Sequence, residues 1–249
     1  MQYTRYRART FYSNNFPPGV KWLIIANCVV FILQMIFGDE LMFRFGLVPG
    51  LVRYRGFIWQ LFTYMFLHGD RWHIVINMLM LWMFGRDLEQ DWGIRRFLRY
   101  YFVCGVGAGL CALGAALAAA SGPDDAVLRL PTIGASGAIF GLLLAFGVVY
   151  ADRIILMMLL FPMKAKYAVM IFGTVELYSA WQPSRGVSNV AHLGGMLFGY
   201  LFLKVRFKGG GDPISLVRTR YRNWRMERAR RRFQVYLRKR GPGGDRWVN

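Results

Sequence analysis

Three short motifs in this 249-residue chain carry side chains of the kinds used in acyl transfer. Ser136 lies in a Gly-Ala-Ser-Gly motif, and His192 lies in an Ala-His-Leu-Gly-Gly motif. His73 and Asn77 are four residues apart, so both would lie on one face of a helix. A serine nucleophile, a histidine base and hydrogen-bond donors for an oxyanion are the minimal set for serine hydrolysis.

Each of these side chains, taken alone, also has a purely structural interpretation. Ser136 is compatible with a packing serine, because small residues let membrane helices approach closely. His192 is compatible with a hydrogen bond to a backbone carbonyl, Asn77 with an interhelical hydrogen bond, and His73 with an anchor at the membrane interface. An ionisable residue inside an apolar segment is costly, however, and this cost favours a functional interpretation of the set.

The elements that carry these residues suit the predicted chemistry. The first turn of a helix has unpaired N–H groups and a partial positive charge, which favour a negative oxygen forming near Ser136. Gly195 and Gly199 are spaced so that two helix backbones can approach closely. If the partner is the helix that carries Ser136, His192 reaches the serine Oγ. Glu176 is the only acid in its apolar segment, but the sequence does not fix its distance from His192. A serine–histidine dyad is therefore the simpler prediction.

The composition indicates an all-α membrane protein. Hydrophobic residues make up 55% of the chain, and the mean hydropathy is +0.30, as is typical of a protein with several membrane spans. The six predicted spans are Val20–Phe37, Trp72–Phe84, Phe97–Ala120, Thr132–Tyr150, Ala165–Trp181 and Val190–Val205. The apolar part of the stretch from Arg153 to Lys166 is too short to span a bilayer, so we expect an interfacial segment there.

Charge predicts the orientation of these spans. The net charge is +19, most of it in the C-terminal tail, and further basic residues cluster near the N-terminus and after the second and fourth spans. The opposite loops carry only Arg44, Arg53, Arg55, Arg71, Arg129 and Arg185. By the positive-inside rule, both termini lie in the cytoplasm. Ser136, His192, His73 and Asn77 then share one depth near the outer face of the membrane.

The three motifs resemble the signatures of rhomboid intramembrane serine proteases, and they occur in that family's order on the second, fourth and sixth predicted spans. The resemblance covers roughly residues 15–206. It implies a six-helix rhomboid-like bundle with a membrane-dipping first loop. It also implies a catalytic pair of Ser136 and His192, with an oxyanion hole formed by His73, Asn77 and Ser136.

The sequence departs from the family pattern at two positions. Many members have Trp-Arg in the first loop, whereas this chain has Trp59-Gln60, so one interaction that anchors the loop is expected to be lost. Many members also have a tyrosine four residues after the serine, packed on the catalytic histidine. Phe140 stands there in this chain, which keeps a ring for stacking but lacks the hydroxyl. Neither departure removes a proposed catalytic group.

The predicted domains are a cytoplasmic N-terminal segment at 1–19, a six-helix rhomboid protease domain at 20–206 and a basic cytoplasmic tail at 207–249. The resemblance implies an intramembrane serine endopeptidase that cleaves single-span membrane proteins, without a metal or cofactor. The alternative is a non-catalytic rhomboid-like protein that binds client transmembrane helices. We expect a bacterial cytoplasmic membrane as the location. The basic tail is predicted either to contact anionic lipid or to be partly disordered, and both are favoured over nucleic-acid binding.

Overall fold

Helices dominate the part of the chain that the computed structural model describes, namely residues 16–123, 125–157, 161–180 and 186–204. In chain order, the helices are α1 (Pro18–Phe37), α2 (Asp39–Phe45), α3 (Pro49–Arg55), α4 (Gln60–Thr63), α5 (Arg71–Trp92), α6 (Ile94–Ala119), α7 (Ser136–Val149), α8 (Ala165–Ala180) and α9 (Gly186–Lys204). Short 3-10 turns occur at Tyr64–Phe66 and Ala126–Leu128. Each predicted span overlaps one helix, α1 or one of α5 to α9. The basic tail at 207–249 lies outside the described residues.

Two of the helices have ends that differ from the predicted spans. The second helix continues through charged residues to Trp92, and Gly93, where φ is 77°, terminates it. The fourth segment begins at Ser136 and not at Thr132. Thr132 instead exchanges two backbone hydrogen bonds with Leu47, of 2.8 and 3.0 Å, so this part of the chain is extended.

A small β-hairpin occupies the stretch that the sequence predicts as an interfacial segment, within a mostly helical structure that fits the all-α expectation. Strand β1 (Ile154–Met157) pairs antiparallel with strand β2 (Phe161–Lys164) between α7 and α8. Beside the hairpin, Asp152 lies 2.9 Å from the ammonium of Lys166. Hydrogen bonds from Lys166, and from Lys164, lower the pKa of the Asp152 carboxyl. Arg153 forms an ion pair with Asp87 of α5, which ties the hairpin to the bundle.

Helix α9 packs against both α6 and α7, and glycines set the distance between their backbones. A Cβ at Gly195 would lie 1.8 Å from the carbonyl oxygen of Gly137, so these two glycines form the α7–α9 contact. A Cβ at Gly199 would instead lie 2.4 Å from the hydroxyl of Tyr100. The predicted glycine pair therefore serves two partners, with Gly195 against α7 and Gly199 against α6.

The outer surface of the bundle is apolar, as a lipid-facing surface requires. Its large exposed side chains include Trp22, Ile36, Trp72, Met170 and Tyr178. Among the described helices, α1 and α6 are long and apolar enough to cross a bilayer on length and composition alone. Helix α7 is apolar but has 14 residues, which gives it a length of about 21 Å.

A buried glutamate closes the beginning of α1. The N–H groups of Gly19 and Val20 each donate to one carboxylate oxygen of Glu89, and both bonds are 2.7 Å long. Glu89 lies near the end of α5 and is 3% exposed. Its negative charge meets the unpaired N–H groups and the positive dipole at a helix N-terminus, where an anion is stabilised. We call this end of the bundle, defined by Gly19, Val20 and Glu89, the capped end.

Candidate active site

The backbone before Ser136 is held by the first loop. The N–H of Gly134 donates to the carbonyl of Tyr64 at 2.9 Å, two residues after the Thr132–Leu47 bridge. The Tyr64 hydroxyl in turn donates to the carbonyl of Gly105 in α6 at 2.7 Å. Ser136 is thus the first residue of α7 and follows a segment anchored at two points. This position leaves its N–H outside the hydrogen-bond ladder of the helix.

Gly134 adopts a backbone conformation that other residues rarely take, with φ at +122°. A Cβ at this position would lie 3.0 Å from both Cε1 and Nε2 of His73 and 3.6 Å from the Oγ of Ser136. The glycine therefore brings the imidazole of His73 close to the serine hydroxyl. Any other residue here would be strained by this backbone angle, and its Cβ would press on the His73 ring.

His192 and Ser136 meet as the spacing of the glycines predicts. The Nε2 of His192 lies 2.8 Å from the Oγ of Ser136, within hydrogen-bond range. The contact crosses the α7–α9 interface at which Gly195 packs on Gly137. Because the two backbones approach so closely there, Ser136, which is next to Gly137, and His192, which is about one turn before Gly195, reach each other. A neutral imidazole in this position can accept the serine proton.

A phenyl ring fixes the plane of the His192 imidazole. Phe140 stacks on it with the ring centroids 4.3 Å apart and the planes 11° from parallel. Phe140 lies four residues after Ser136 in α7, so it stands one helical turn beyond the serine on the same face. The prediction that Phe140 provides a stacking ring is confirmed.

The other nitrogen of His192 faces a carboxylate. Its Nδ1 lies 2.9 Å from the Oε2 of Glu176, which comes from α8. The side chains are 19% and 14% exposed, and neither atom makes a hydrogen bond of good angle to any described group. Sequence reasoning left this distance open. The one signal that could have found it is that Glu176 is the only acid in α8.

His73 is set up as a hydrogen-bond donor toward the serine. The N–H of Gly69 donates to Nδ1 of His73 at 3.2 Å, so the proton of the neutral ring lies on Nε2. The beginning of α5 is fixed by Asp70, whose carboxylate accepts from the N–H of His73 at 2.9 Å. The Nε2–H of His73 then points into the space beside Gly134 and Ser136, where a Cβ at Gly134 would meet it.

Asn77 is buried on the same helix, and its side chain is hydrogen-bonded to the backbone of that helix. Its Nδ2 donates to the carbonyl of His73 at 2.7 Å, one turn earlier in α5, and the residue is 5% exposed. An amide carries two N–H groups, so one remains for another acceptor. The structure thus brings Ser136, His192 and His73 together directly and places Asn77 one turn away along α5.

Gln60 anchors the first loop through its side-chain amide. Gln60 is fully buried, its Oε1 accepts from the N–H of Val48 at 3.0 Å, and its Nε2 donates to the carbonyl of Phe43 at 2.8 Å. The neighbouring Trp59 donates its indole N–H to the carbonyl of Arg44 at 2.9 Å. An amide satisfies the loop backbone here without a charge, so the first loop remains anchored.

His68 is buried beside this constellation but makes no ring hydrogen bond. It is 1% exposed, and both ring nitrogens lack a partner in the described part of the chain. Burial lowers its pKa to about 4, with a smaller contribution from the nearby His73, so the ring is neutral at physiological pH. Its backbone carbonyl accepts from Nε2 of Gln34 in α1 at 3.0 Å.

Comparison with known protein families matches residues 55–209 to the rhomboid domain. The chain is 31% identical over 172 residues to rhomboid protein 1, mitochondrial, of Saccharomyces cerevisiae, which covers 68% of this chain and 45% of that protein. It is 33% identical over 158 residues to rhomboid-like protease 5 of Toxoplasma gondii, covering 61% of this chain and 16% of that protein.

A bacterial relative matches over more of its own length. The chain is 27% identical over 194 residues to the rhomboid protease AarA of Providencia stuartii, which covers 72% of this chain and 69% of that protein. By contrast, the chain spans less than half the length of the yeast and Toxoplasma relatives.

Proposed function

The chain belongs to the rhomboid family of membrane-embedded proteins, and from this premise we propose that it is an intramembrane serine endopeptidase. Ser136 is the nucleophile and His192 the general base. The observation that carries the proposal is the 2.8 Å distance between the Nε2 of His192 and the Oγ of Ser136. A packing histidine has no need of a hydroxyl at that nitrogen, whereas a base must lie within hydrogen-bond reach of the proton it removes.

In the proposed reaction, His192 removes the Ser136 proton as Oγ attacks the carbonyl carbon of the scissile peptide bond. The resulting imidazolium then gives the proton to the leaving nitrogen, which breaks the carbon–nitrogen bond and leaves an acyl-enzyme. A water molecule, deprotonated by the same imidazole, hydrolyses that ester and regenerates the serine. Each step moves one proton through Nε2 of His192.

The substrate's carbonyl oxygen becomes negative during the attack by Ser136 and again during the attack by water. It therefore needs hydrogen-bond donors. The N–H of Ser136 lies at the start of α7, where the helix dipole also favours a negative charge. The Nε2–H of His73 points into the same space, and Asn77 supplies a second side-chain donor from α5. Donors held in place before the reaction stabilise the transition state without reorganisation, which makes them effective in a water-poor site.

The helices carrying these groups fit a six-span arrangement in which α1 and α5 to α9 cross the membrane. With both termini cytoplasmic, Ser136, His192 and His73 lie near the outer face, from which water can enter. Substrates are single-span membrane proteins, and cleavage requires local unwinding of the substrate helix. Helix-breaking residues near the cut site favour that unwinding. The location proposed is a bacterial cytoplasmic membrane, with the basic tail at 207–249 on anionic lipid.

The decisive experiment compares Ser136→Ala with a matched control, Ser121→Ala, which removes an exposed hydroxyl in the loop after α6. Both purified proteins are incubated with a fluorophosphonate probe and with a single-span membrane substrate in lipid vesicles. We expect labelling and cleavage by the wild type and by Ser121→Ala, and neither by Ser136→Ala. Cleavage by Ser136→Ala would contradict the nucleophile assignment. A wild type that binds a client helix without labelling or cleavage would support the alternative, a non-catalytic rhomboid-like protein.

A further inference from the structure

We propose that Glu176 is a positioning residue that holds the imidazole of His192 for proton transfer. Ser136, His192 and Glu176 then form a row in which the histidine contacts both of the others. This inference rests on the proposed function, because it assigns a role within the same site. The carboxylate does not touch the substrate or the serine. It acts only through His192.

The geometry places three contacts around one imidazole ring. Nε2 lies 2.8 Å from the Oγ of Ser136, Nδ1 lies 2.9 Å from the Oε2 of Glu176, and one face stacks on Phe140. Each edge of the ring that can exchange a proton thus meets one oxygen. The three partners come from α7 and α8, while the ring itself comes from α9.

The described surroundings of Glu176 give its carboxylate one ion-pair partner, the imidazole of His192. Its Oε2 is buried and makes no hydrogen bond in the described part of the chain, and the Nδ1 of His192 is equally unpartnered. A carboxylate inside an apolar helix is expensive, and the cost is met when hydrogen bonds or an opposite charge compensate it. Here the only group within ion-pair distance that the structure records is the imidazole of His192. That group carries a positive charge only after it has taken a proton.

The chemistry explains why a carboxylate suits this place. A carboxylate accepts hydrogen bonds but cannot donate them, so it favours the tautomer of His192 with its proton on Nδ1. That tautomer leaves the lone pair of Nε2 facing the serine hydroxyl. When the serine proton moves to Nε2, the ring becomes positive, and the negative carboxylate stabilises it. The Nδ1 proton stays on nitrogen throughout, as in other serine hydrolases with a third acidic residue.

The contact at Nδ1 is short but does not have the geometry of a hydrogen bond. Catalytic hydrogen bonds are often poorly aligned before substrate binds and tighten in the reacting complex. The attraction between the two groups is strongest when the ring is charged, which is the state formed during attack. A contact that strengthens in this state accelerates the reaction and not merely binding.

The first test measures kcat and KM for Glu176→Gln, with Glu40→Gln as the matched control because Glu40 is exposed in a surface ion pair with Arg44. Glutamine keeps the shape but has an N–H donor that favours the wrong tautomer. We expect kcat to fall at least about thirtyfold with KM within twofold, and no change for Glu40→Gln. Glu176→Asp, which keeps the charge on a shorter side chain, should recover part of the loss. A kcat for Glu176→Gln within twofold of wild type, or a change confined to KM, would overturn the inference.

The second test reads the tautomer directly. The chain has only three histidines, so ¹⁵N labelling of histidine gives few signals, and His192→Ala identifies those of His192. We expect Nδ1 of His192 to carry the proton in the wild type and Nε2 to carry it more often in Glu176→Gln. An unchanged tautomer would overturn the positioning role even if kcat falls. If Ser136→Ala stays active, the proposed function itself fails. If it is inactive while Glu176→Gln is fully active, only this inference fails.

Discussion

Two glutamates in this molecule, the buried Glu89 and the partly buried Glu176, have opposite surroundings. At the capped end, both oxygens of Glu89 accept hydrogen bonds from backbone N–H groups of α1, each 2.7 Å long. At the candidate active site, Oε2 of Glu176 lies 2.9 Å from an imidazole nitrogen and makes no hydrogen bond to any described residue. The first carboxylate is compensated in the resting protein. The second is compensated fully only if His192 becomes charged.

This difference separates a contribution to stability from a contribution to chemistry. A satisfied carboxylate lowers the free energy of the folded state, and its loss leaves donors without partners. A carboxylate whose partner is neutral in the resting protein contributes little to the stability of the fold. It lowers the free energy of the state in which His192 is charged. We therefore expect substitutions at the capped end to change the melting temperature but not kcat. Substitutions at the candidate active site should change kcat but not the melting temperature.

His192→Ala gives the largest expected effect on the activity side of this comparison. Removal of the base should reduce kcat by about a thousandfold or more, because residues that act as one catalytic unit fail together. The double variant with Ser136→Ala should be no slower than either single variant. Thermal melting of both variants should match the wild type. A His192→Ala protein that keeps a tenth of the wild-type rate would place the base elsewhere.

His68 lies beside the candidate active site, but we expect it to affect only the stability of the fold. Its pKa is lowered to about 4 by burial, whereas an unfolded histidine titrates near 6.5. The unfolded chain therefore binds a proton first as the pH falls. Stability is full above about pH 6.5, decreases below it and has lost about 3 kcal/mol near pH 4.

The check is thermal unfolding of wild type and His68→Gln between pH 7 and pH 4. The variant lacks the titrating ring, so its melting temperature should decline less over this range. Equal slopes for the two proteins would mean that other groups control the acid sensitivity.

Asn77→Ala tests whether a residue engaged within its own helix also acts in the reaction. Its Nδ2 donates to the carbonyl of His73, but the second N–H remains for an oxyanion. Loss of one such donor typically lowers kcat by about a hundredfold, which is about 3 kcal/mol. We expect KM to change little. Normal kcat with a raised KM, measured on a single-span substrate, would assign Asn77 to substrate contact.

Glu89→Gln gives the smallest expected effect and tests the opposite end. Glutamine retains one acceptor oxygen, so one of the two N–H groups at the start of α1 loses its partner, and the charge is lost. We expect the folded state to lose about 2 kcal/mol. The kcat per folded molecule, counted by fluorophosphonate labelling, should equal the wild-type value. A lowered kcat at full labelling would show that the two ends are coupled.

Much of this organisation follows from local sequence signals. Six apolar stretches predict the positions of the main helices, and glycine spacing predicts the approach of α9 to α7. The end of α5 was missed because its last turns, including Glu89, look polar until the partner at the start of α1 is known. The β-hairpin was missed because its apolar residues are too few to show a period. The contact of Glu176 with His192 depends on how α8 packs, and no pattern within one helix encodes that distance.

The backbone angle of Gly134 gives a sequence criterion for distinguishing rhomboid proteins that keep this pocket from those that have lost it. A side chain at this position would be strained by the backbone angle and would displace the His73 ring, so a member with the serine and histidine but without this glycine does not keep the same pocket geometry. We expect such a sequence to have lost cleavage while its helices still pack normally. The residue aligned with Gly134 thus separates family members that are expected to cleave from members that are expected only to bind.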